Sequence, residues 1–282
     1  MASPSPDDNL YTVILPTYNE RENLPILVWL LDKTFTQHAL KYEIVIVDDN
    51  SPDGTQAMAE ELQRVFGPEK IILHPRPGKL GLGTAYLHGL EVASGNFIFL
   101  MDADLSHDPK FIPEFIKTQK ALKCDIVTGT RYTIGSGIHG WSLYRKLTSR
   151  VANFIADTLL DPQVTDLTGS YRLYKRSVLE HLIDITESKG YGFQMEVAVR
   201  ASRFRDEALV PEGREIQWSS AEPRNTSHRD LSDEITILSP AGGYRIAEVP
   251  ITFVDRLYGQ SKLGPNEITA YLKGVWRLFM AV

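Results

Sequence analysis

The chain has 282 residues, of which 43% are hydrophobic and 23% are charged, as in a globular protein with a sizeable core. Its net charge of −6 argues against nucleic acid as a partner, because nucleic-acid-binding proteins concentrate Lys and Arg. A single cysteine, Cys124, excludes an internal disulfide framework and favours a reducing compartment.

The chain opens with a polar tail, residues 1–9, which lacks the basic start and apolar stretch of a secretory signal. No stretch approaches the roughly 18 consecutive apolar residues of a membrane-spanning helix. We therefore expect a disordered tail, then a single domain over residues 10–282, on the cytosolic side of membranes.

Short β-rich runs alternate with amphipathic stretches. The predicted strands are 11–15, 43–47, 71–73, 97–101, 126–128 and 246–249. Their βαβαβαβα order predicts an α/β domain with a mainly parallel, Rossmann-like sheet and flanking helices. Ligands of such sheets bind beyond the carboxyl ends of the strands, so the residues that follow each strand are the candidates for a site.

The first strand runs into the sequence ILPTYNE, residues 14–20. In this loop Tyr18 could lie against a base and Glu20 could accept hydrogen bonds from a nucleotide, although a plain helix start explains the loop equally well in isolation. The second strand ends in VDDNSPDGT, where we expect Asp49 to face the nucleotide and Asp53 to cap the helix that begins at Thr55.

Glycines follow the third strand in KLGLGTAYLHGL, at Gly81 and Gly83. Tyr86 occupies the position of the third glycine in a dinucleotide fingerprint, which argues against a Rossmann dehydrogenase. A close approach of this loop to a ligand and a simple loop-to-helix junction remain alternatives.

The fourth strand ends in Asp102-Ala103-Asp104. Two carboxylates two residues apart at a strand end can point to one side and share Mg²⁺ or Mn²⁺, which prefer oxygen ligands and often bind substrate phosphates as well. Such a metal would make a diphosphate a feasible leaving group. Taken alone, the pair could equally be a solvated turn or a helix cap.

Later segments depart from the alternating pattern. Residues 204–243 are polar, charged and aperiodic, which predicts a disordered insertion. Two apolar stripes, at 147–159 and 268–279, have basic neighbours and fit either ordinary core-facing helices or helices at a membrane surface. Gln194 and Glu196 could order an acceptor or satisfy a buried helix start.

Taken together, several motifs resemble the catalytic subunits of eukaryotic dolichol-phosphate mannosyltransferases. They are LPTYNERENLP, VDDNSPDGT, LGLGTAYLHGL, MDADLSHDPKFIPEFI, GTRY, DLTGSYRLY, GYGFQMEV and EVPITFVDRLYGQSKLG, and they cover nearly the whole chain apart from the tail and the 204–243 segment.

The resemblance implies a glycosyltransferase A fold in one catalytic domain. It also implies inverting transfer of mannose from GDP-mannose to dolichyl phosphate, for protein glycosylation and GPI-anchor synthesis. The expected location is the cytosolic face of the endoplasmic reticulum, on the membrane surface, with small membrane-embedded partner subunits that we expect at the C-terminal helix.

The resemblance also implies roles for individual residues. Nucleotide contacts fall on Pro16, Tyr18, Glu20, Val47 and Asp49. The metal and the sugar donor are expected to bind at Asp102, Ala103 and Asp104. A further metal contact is expected at Ser106, a position where archaeal relatives carry Gln. The donor and acceptor phosphates fall on Arg131, Arg256 and Lys262, and we assign Asp104 and Arg131 to the transfer itself.

The chemistry of a phosphate acceptor is consistent with this set. A phosphate monoester is already anionic near neutral pH, so no general base is required, and cations must instead bring two anions together. The alternatives are a dolichyl-phosphate glucosyltransferase that uses UDP-glucose, and a non-catalytic subunit if the insertion disables the site.

Overall fold

The computed structural model describes residues 8–141, 143–162, 164–190, 192–204, 243–258 and 265–281. Most of the predicted tail and of the 204–243 insertion, together with Lys262, lies outside the described residues.

Nine strands and eight α-helices make up the described secondary structure. The strands are β1 (Leu10–Thr17), β2 (Lys41–Asp48), β3 (Ile71–Pro75), β4 (Phe97–Leu100), β5 (Ile126–Thr130), β6 (Gly137–His139), β7 (Arg172–Lys175), β8 (Ile246–Pro250) and β9 (Thr252–Val254). The helices are α1 (Leu24–Gln37), α2 (Thr55–Phe66), α3 (Leu82–Val92), α4 (Ile112–Leu122), α5 (Leu143–Leu160), α6 (Arg176–Ile185), α7 (Phe193–Arg203) and α8 (Pro265–Ala281).

Seven strands form one sheet in the order β3-β2-β1-β4-β7-β5-β8, and β6 pairs with β9 in a second, two-stranded sheet. The neighbouring strands β3, β2, β1 and β4 are parallel, as are β5 and β8, which confirms the predicted mainly parallel α/β sheet. The antiparallel strand β7, which separates β4 from β5, was not predicted.

Helices cover both faces of the large sheet, and the strands are apolar on both faces for that reason. In β1, Val13 and Leu15 pack in the hydrophobic cluster that includes α1 and α4, whereas Ile14 packs in the cluster that includes α3, α6 and α7. The same alternation in β4 places Phe99 on the first face and Ile98 on the second. This explains why the sequence shows continuous apolar runs here.

The glycines around α3 allow close contact within the protein. A Cβ on Gly89 would lie 2.6 Å from Ile14 Cγ2, so this glycine lets α3 approach the sheet. Gly81 has a φ of +101° and a Cβ there would lie 2.4 Å from the Lys189 carbonyl oxygen. A Cβ on Gly83 would meet the ring of Phe193 at 2.5 Å. Of the two alternatives for this segment, the structure favours the loop-to-helix junction.

Helices α5 and α8 contact each other and expose apolar side chains to solvent. The predicted α8 stripe is divided, because Tyr271, Val275 and Leu278 belong to the core and Leu272 and Phe279 do not. The exposed apolar face, as we call it below, consists of Leu143, Leu147, Val151, Phe154, Leu272, Trp276, Phe279 and Met280. Among the described helices, none is long and apolar enough to cross a bilayer.

Candidate active site

The acidic loop, residues 101–107, directly follows β4 and carries both carboxylates of the DAD motif. Asp102 Oδ1 accepts a hydrogen bond from the Ser170 hydroxyl at 2.8 Å. Asp104 Oδ1 accepts from the backbone N–H of Ser106 at 3.1 Å and from its hydroxyl at 2.5 Å. Leu105 adopts a left-handed conformation with φ of 63°, which folds the chain back at this point. Ser106 thus orients Asp104 in this structure.

His107 fixes the start of the acidic loop. The Asp102 backbone N–H donates to His107 Nδ1 at 3.1 Å, so the proton of the neutral ring is on Nε2, which lies 4.0 Å from Asp102 Oδ2. Burial lowers the pKa of His107 below its usual value, although Asp102 and Asp104 act in the opposite direction. The imidazole is therefore neutral at neutral pH and acts as a hydrogen-bond acceptor in the loop.

Arg256 is the positive partner of the acidic loop. Its guanidinium Nη2 lies 3.1 Å from Asp104 Oδ2. The preceding residue, Asp255, binds Arg145 Nη1 through Oδ1 at 3.0 Å, which connects the start of α5 to the acidic loop. The family resemblance predicts that Arg256 binds phosphates. In the structure, Arg256 contacts Asp104, one of the two predicted metal ligands.

The donor set of the acidic loop fits a hard divalent cation. Asp102 and Asp104 supply carboxylate oxygens from positions two residues apart. The Asp102 side chain is 36% exposed and is therefore accessible to an ion. Asp104 already attracts the guanidinium of Arg256. Mg²⁺ and Mn²⁺ prefer such oxygen ligands.

The loops after β1 and β2 are joined by hydrogen bonds. Three successive backbone N–H groups, of Asn19, Glu20 and Arg21, donate to side chains of Ser51, Thr55 and Asp53 at 3.0, 3.0 and 3.2 Å. The second carboxylate oxygen of Asp53 accepts from the Thr55 backbone N–H at 3.0 Å, at the first residue of α2. The N-cap position itself is Gly54, one residue later than predicted, and it has no side-chain cap. The two loops form one unit at the carboxyl edge of the sheet.

Asp49 lies at this edge and pairs with Arg76, which follows β3. Arg76 Nε is 2.7 Å and Nη2 is 2.5 Å from Asp49 Oδ1, and Arg76 Nη1 donates to Thr84 Oγ1 at 2.8 Å. Burial raises the pKa of Asp49, and Arg76 partly offsets this effect. Arg76 was not predicted as a site residue, although it directly follows a strand, where site residues were expected.

The other predicted nucleotide contacts differ in accessibility. Glu20 is buried and its Oε2 accepts from Asn23 Nδ2 at 2.7 Å. The ring of Tyr18, predicted to lie against a base, has the Lys79 ammonium 3.4 Å from its centroid. Pro16, partly exposed, pairs in register with Val47, whose side chain is fully buried in the core. The structure therefore does not bring the Val47 side chain to the site.

Arg131 is held in a buried ion pair. Its Nε and Nη2 donate to Asp166 Oδ2 and Oδ1 at 2.7 and 2.8 Å, and Nη2 also reaches Thr168 Oγ1 at 2.6 Å. Burial alone would raise the Asp166 pKa, but Arg131 and the hydrogen bonds outweigh it and hold the pKa below its usual value. Asp166, which lies in the motif DLTGSYRLY, was not predicted as a site residue.

Two further residues take structural positions. Glu196 is fully buried and binds Arg200 and Arg277 at 2.8 Å each, and it accepts from the backbone N–H of Glu187 and Ser188. These contacts favour the buried helix start over an acceptor-binding role for Glu196. Ala103 is buried in the core between the two DAD carboxylates.

Comparison with known proteins assigns a family to this chain and identifies similar enzymes. The profile described as Glycosyl transferase family 2 matches residues 12–183, more than half of the chain. The polyprenol monophosphomannose synthase of Mycolicibacterium smegmatis is 34% identical over 91% of this chain and 82% of its own length. The dolichol-phosphate mannosyltransferase of Pyrococcus furiosus is 33% identical over 95% of this chain, which spans 63% of that protein.

Solved structures show the same fold at lower identity. Glucosyl-3-phosphoglycerate synthase from Mycobacterium tuberculosis, in complex with phosphoglyceric acid, superposes with a TM-score of 0.62 at 14% identity, over 97% of this chain and 81% of that one. Its complex with Mn²⁺, UDP and glucosyl-3-phosphoglycerate superposes with a TM-score of 0.59 at 15% identity, over 97% and 80%.

Proposed function

This chain belongs to glycosyl transferase family 2, and we propose that it transfers mannose from GDP-mannose to dolichyl phosphate with inversion at the anomeric carbon. The family membership makes the chain a glycosyltransferase, and the sheet confirms the predicted glycosyltransferase A fold. The choice of mannose and of a polyprenyl phosphate rests on the names of the two relatives, each similar over more than nine-tenths of this chain.

A lipid acceptor is supported by the link between the exposed apolar face and the acidic loop. Leu143 and Leu147, 86% and 63% exposed, flank Arg145 on α5. Arg145 binds Asp255, and the next residue, Arg256, binds Asp104. A polyprenyl chain that lies against this face would bring its phosphate towards the acidic loop. The connection from the exposed apolar face through Arg145, Asp255 and Arg256 to Asp104 is the observation that carries the proposal of a lipid acceptor.

The same face supports binding to a membrane surface. Exposed Leu, Phe and Trp side chains can enter the interfacial region of a bilayer, while basic side chains contact anionic headgroups. We place the protein at the cytosolic surface of the endoplasmic reticulum, where small membrane-embedded partner subunits would contact α8.

In the proposed site, Asp102 and Asp104 would hold Mg²⁺ or Mn²⁺. When bound, the cation would neutralise the negative charge that develops on the departing diphosphate. Glu20 and Asp49 lie in the joined loops at the edge of the sheet, where the nucleotide would bind. Asp166 fixes the guanidinium of Arg131 in one orientation through a bidentate contact.

The acceptor needs no deprotonation by the protein, because a phosphate monoester is anionic near neutral pH. The residues must instead hold two anions at attack distance. Arg256 offers a planar fork to anionic oxygens, whether those of Asp104 or those of a substrate phosphate. Lys262, four positions along from Tyr258, is proposed to supply a second positive charge.

A transfer assay tests the proposal directly. The full chain is incubated with Mg²⁺ or Mn²⁺, dolichyl phosphate and either GDP-mannose or UDP-glucose, and the glycolipid is quantified and its anomeric configuration determined. We expect β-linked mannosyl product from GDP-mannose. Product from UDP-glucose alone would make the chain a dolichyl-phosphate glucosyltransferase, and no product from either donor would favour a non-catalytic subunit.

The metal assignment is tested by Asp104→Asn, with Asp108→Asn as the matched control in the same segment. Asp108 caps the short turn that follows through Lys110 N at 3.0 Å and lies beyond the acidic loop. Loss of one metal ligand should reduce kcat by about 100-fold or more, on the scale of removing a group that stabilises the transition state. Equal activity of the two variants would refute the assignment.

A further inference from the structure

A second cluster of metal-binding side chains lies outside the acidic loop. His74 on β3, together with His88 and Glu91 on α3, places two imidazole nitrogens and one carboxylate oxygen within 4.8 Å of one another. His88 Nδ1 is 3.2 Å and His74 Nε2 is 3.9 Å from Glu91 Oε2. The two imidazole rings stack with their centroids 4.0 Å apart.

The position of His74 gives the cluster a polar atom that needs a partner. Its Nε2 is buried from solvent, and within the described part of the chain no hydrogen-bond partner lies in reach. A buried polar atom without a partner is costly and calls for an explanation. The nearest acceptor, Glu91 Oε2, is beyond hydrogen-bonding distance at 3.9 Å.

The dimensions of the cluster fit a transition metal. In a tetrahedral zinc site with bonds of about 2.0–2.2 Å, neighbouring ligand atoms are separated by roughly 3.3–3.5 Å. The two separations to Glu91 Oε2, 3.2 and 3.9 Å, lie on either side of this value. Because an imidazole binds a metal in the plane of its ring, one of the two stacked rings must rotate for both nitrogens to reach the same ion. Two histidines and one carboxylate are a ligand set that zinc uses in proteins, with water at the fourth position.

We propose that His74, His88 and Glu91 form a binding site for Zn²⁺, distinct from the Mg²⁺ or Mn²⁺ site proposed at the acidic loop. Imidazole nitrogens favour zinc and related transition metals over Mg²⁺, whereas Asp102 and Asp104 offer oxygen only. The two sites therefore differ in the class of metal that each prefers.

A metal at this position would connect the strand at the edge of the sheet to α3. His74 lies two residues before Arg76, and α3 carries Thr84, whose hydroxyl accepts from Arg76 at 2.8 Å. The ion would therefore hold together the two elements that position Arg76 beside Asp49. The ion would lie on the side of the site that is proposed to bind the nucleotide.

Zinc binding by the full chain tests the proposal without an activity assay. The protein is stripped with a chelator and titrated with Zn²⁺ in a calorimeter, with excess Mg²⁺ present to occupy the acidic loop. Parallel titrations use His74→Gln, His88→Gln and Glu91→Gln, with the exposed His38→Gln as the matched control. Visible absorption of Co²⁺ in the same proteins reports the coordination geometry.

We expect one equivalent of Zn²⁺ in the wild-type and control proteins, and binding weaker by at least about tenfold in each ligand variant. At a hundredfold excess over Kd, zinc should raise the melting temperature of the wild type by roughly 5 °C. His88 is partly exposed, so His88→Gln should fold even if His74→Gln does not. Unchanged affinity in His88→Gln, or no binding by the wild type, would overturn the proposal.

Discussion

Replacement of Asp166 by Asn should destabilise the protein strongly. The Asp166 side chain is 0% exposed and that of Arg131 is 7% exposed, so the substitution leaves a buried guanidinium without its counter-charge. Removing one partner of a buried ion pair costs about 3–5 kcal/mol. Asn has nearly the same shape and keeps one carbonyl oxygen, which could still accept from the Gly169 N–H, so we expect the lower end, about 3 kcal/mol.

Urea unfolding of the wild type and the variant measures this cost, and Glu180→Gln is the matched control. Glu180 pairs with Arg176 one helical turn away, and the Glu180 side chain is 47% exposed, so loss of its charge should cost less than about 0.5 kcal/mol. A decrease of about 3 kcal/mol should lower the melting temperature by roughly 6 °C or more. The reasoning fails if Asp166→Asn is no more destabilising than Glu180→Gln.

The pH dependence gives a second measurement of the same pair. The pKa of Asp166 is lower in the folded protein than in the unfolded chain, where it is about 3.9. The charged carboxylate therefore contributes stability in full above pH ~4, and this contribution is lost as the pH falls through the folded-state pKa. The difference between wild type and Asp166→Asn should be constant from pH 5 to 8 and should shrink below about pH 4.

Three further predictions concern other parts of the molecule. Burial raises the pKa of Glu248 to about 7, so stability should decline as the pH rises from about 4 to 7; Glu248→Gln should flatten this decline in thermal melts, and an unchanged slope would contradict it. Phe154→Asp should weaken sedimentation with anionic phospholipid vesicles by about tenfold, whereas Val65→Asp, at a similarly exposed position on α2, should not; equal losses would argue against a specific membrane face. Arg76→Ala should weaken GDP binding by about tenfold in calorimetry, because Asp49 loses its cationic partner; an unchanged Kd would place the nucleotide elsewhere.

The strands of the large sheet were predictable because they are buried on both faces. The run 11–15 was recognised within β1, Leu10–Thr17, and the run 43–47 within β2, Lys41–Asp48. Their continuous apolar character follows directly from the helices on each side. The polar loops that follow these strands were also predictable, because they lie outside the core and need no apolar side chains.

Strand β7 was missed because its sequence, RLYK, contains two basic residues. Arg172 is nevertheless 2% exposed, and its guanidinium donates to the carbonyl oxygens of Gln194 and Leu167 at 2.8 and 3.1 Å. Its Nε has no hydrogen-bond partner among the described residues, so Nη1 and Nη2 supply the contacts that offset the burial of the charge. The partner Gln194 is 22 residues away, and the order of residues does not reveal it.

The same limit applies to the candidate site. Asp102, Asp104 and Asp49 could be selected because each follows a strand, and position along the chain was enough. Arg76, the partner of Asp49, also follows a strand and could have been selected in the same way. The partner of Arg131 could not, because Asp166 follows no predicted strand and is 35 residues away in sequence. Arg131 appeared in the sequence as a basic residue available to phosphates, and the structure shows that a buried carboxylate orients it.

The unpredicted strand β7 has a consequence for how this part of the protein can change during evolution. Because β7 separates β4 from β5, Asp102 and Arg131 extend from strands that are not neighbours. The short segment 166–170 spans the gap, with Asp166 on Arg131 at one end and Ser170 on Asp102 at the other. Its length sets the spacing between an anion and a cation of the site. Substitutions within it should therefore be accepted far more often than insertions or deletions, which would shift one end relative to the other.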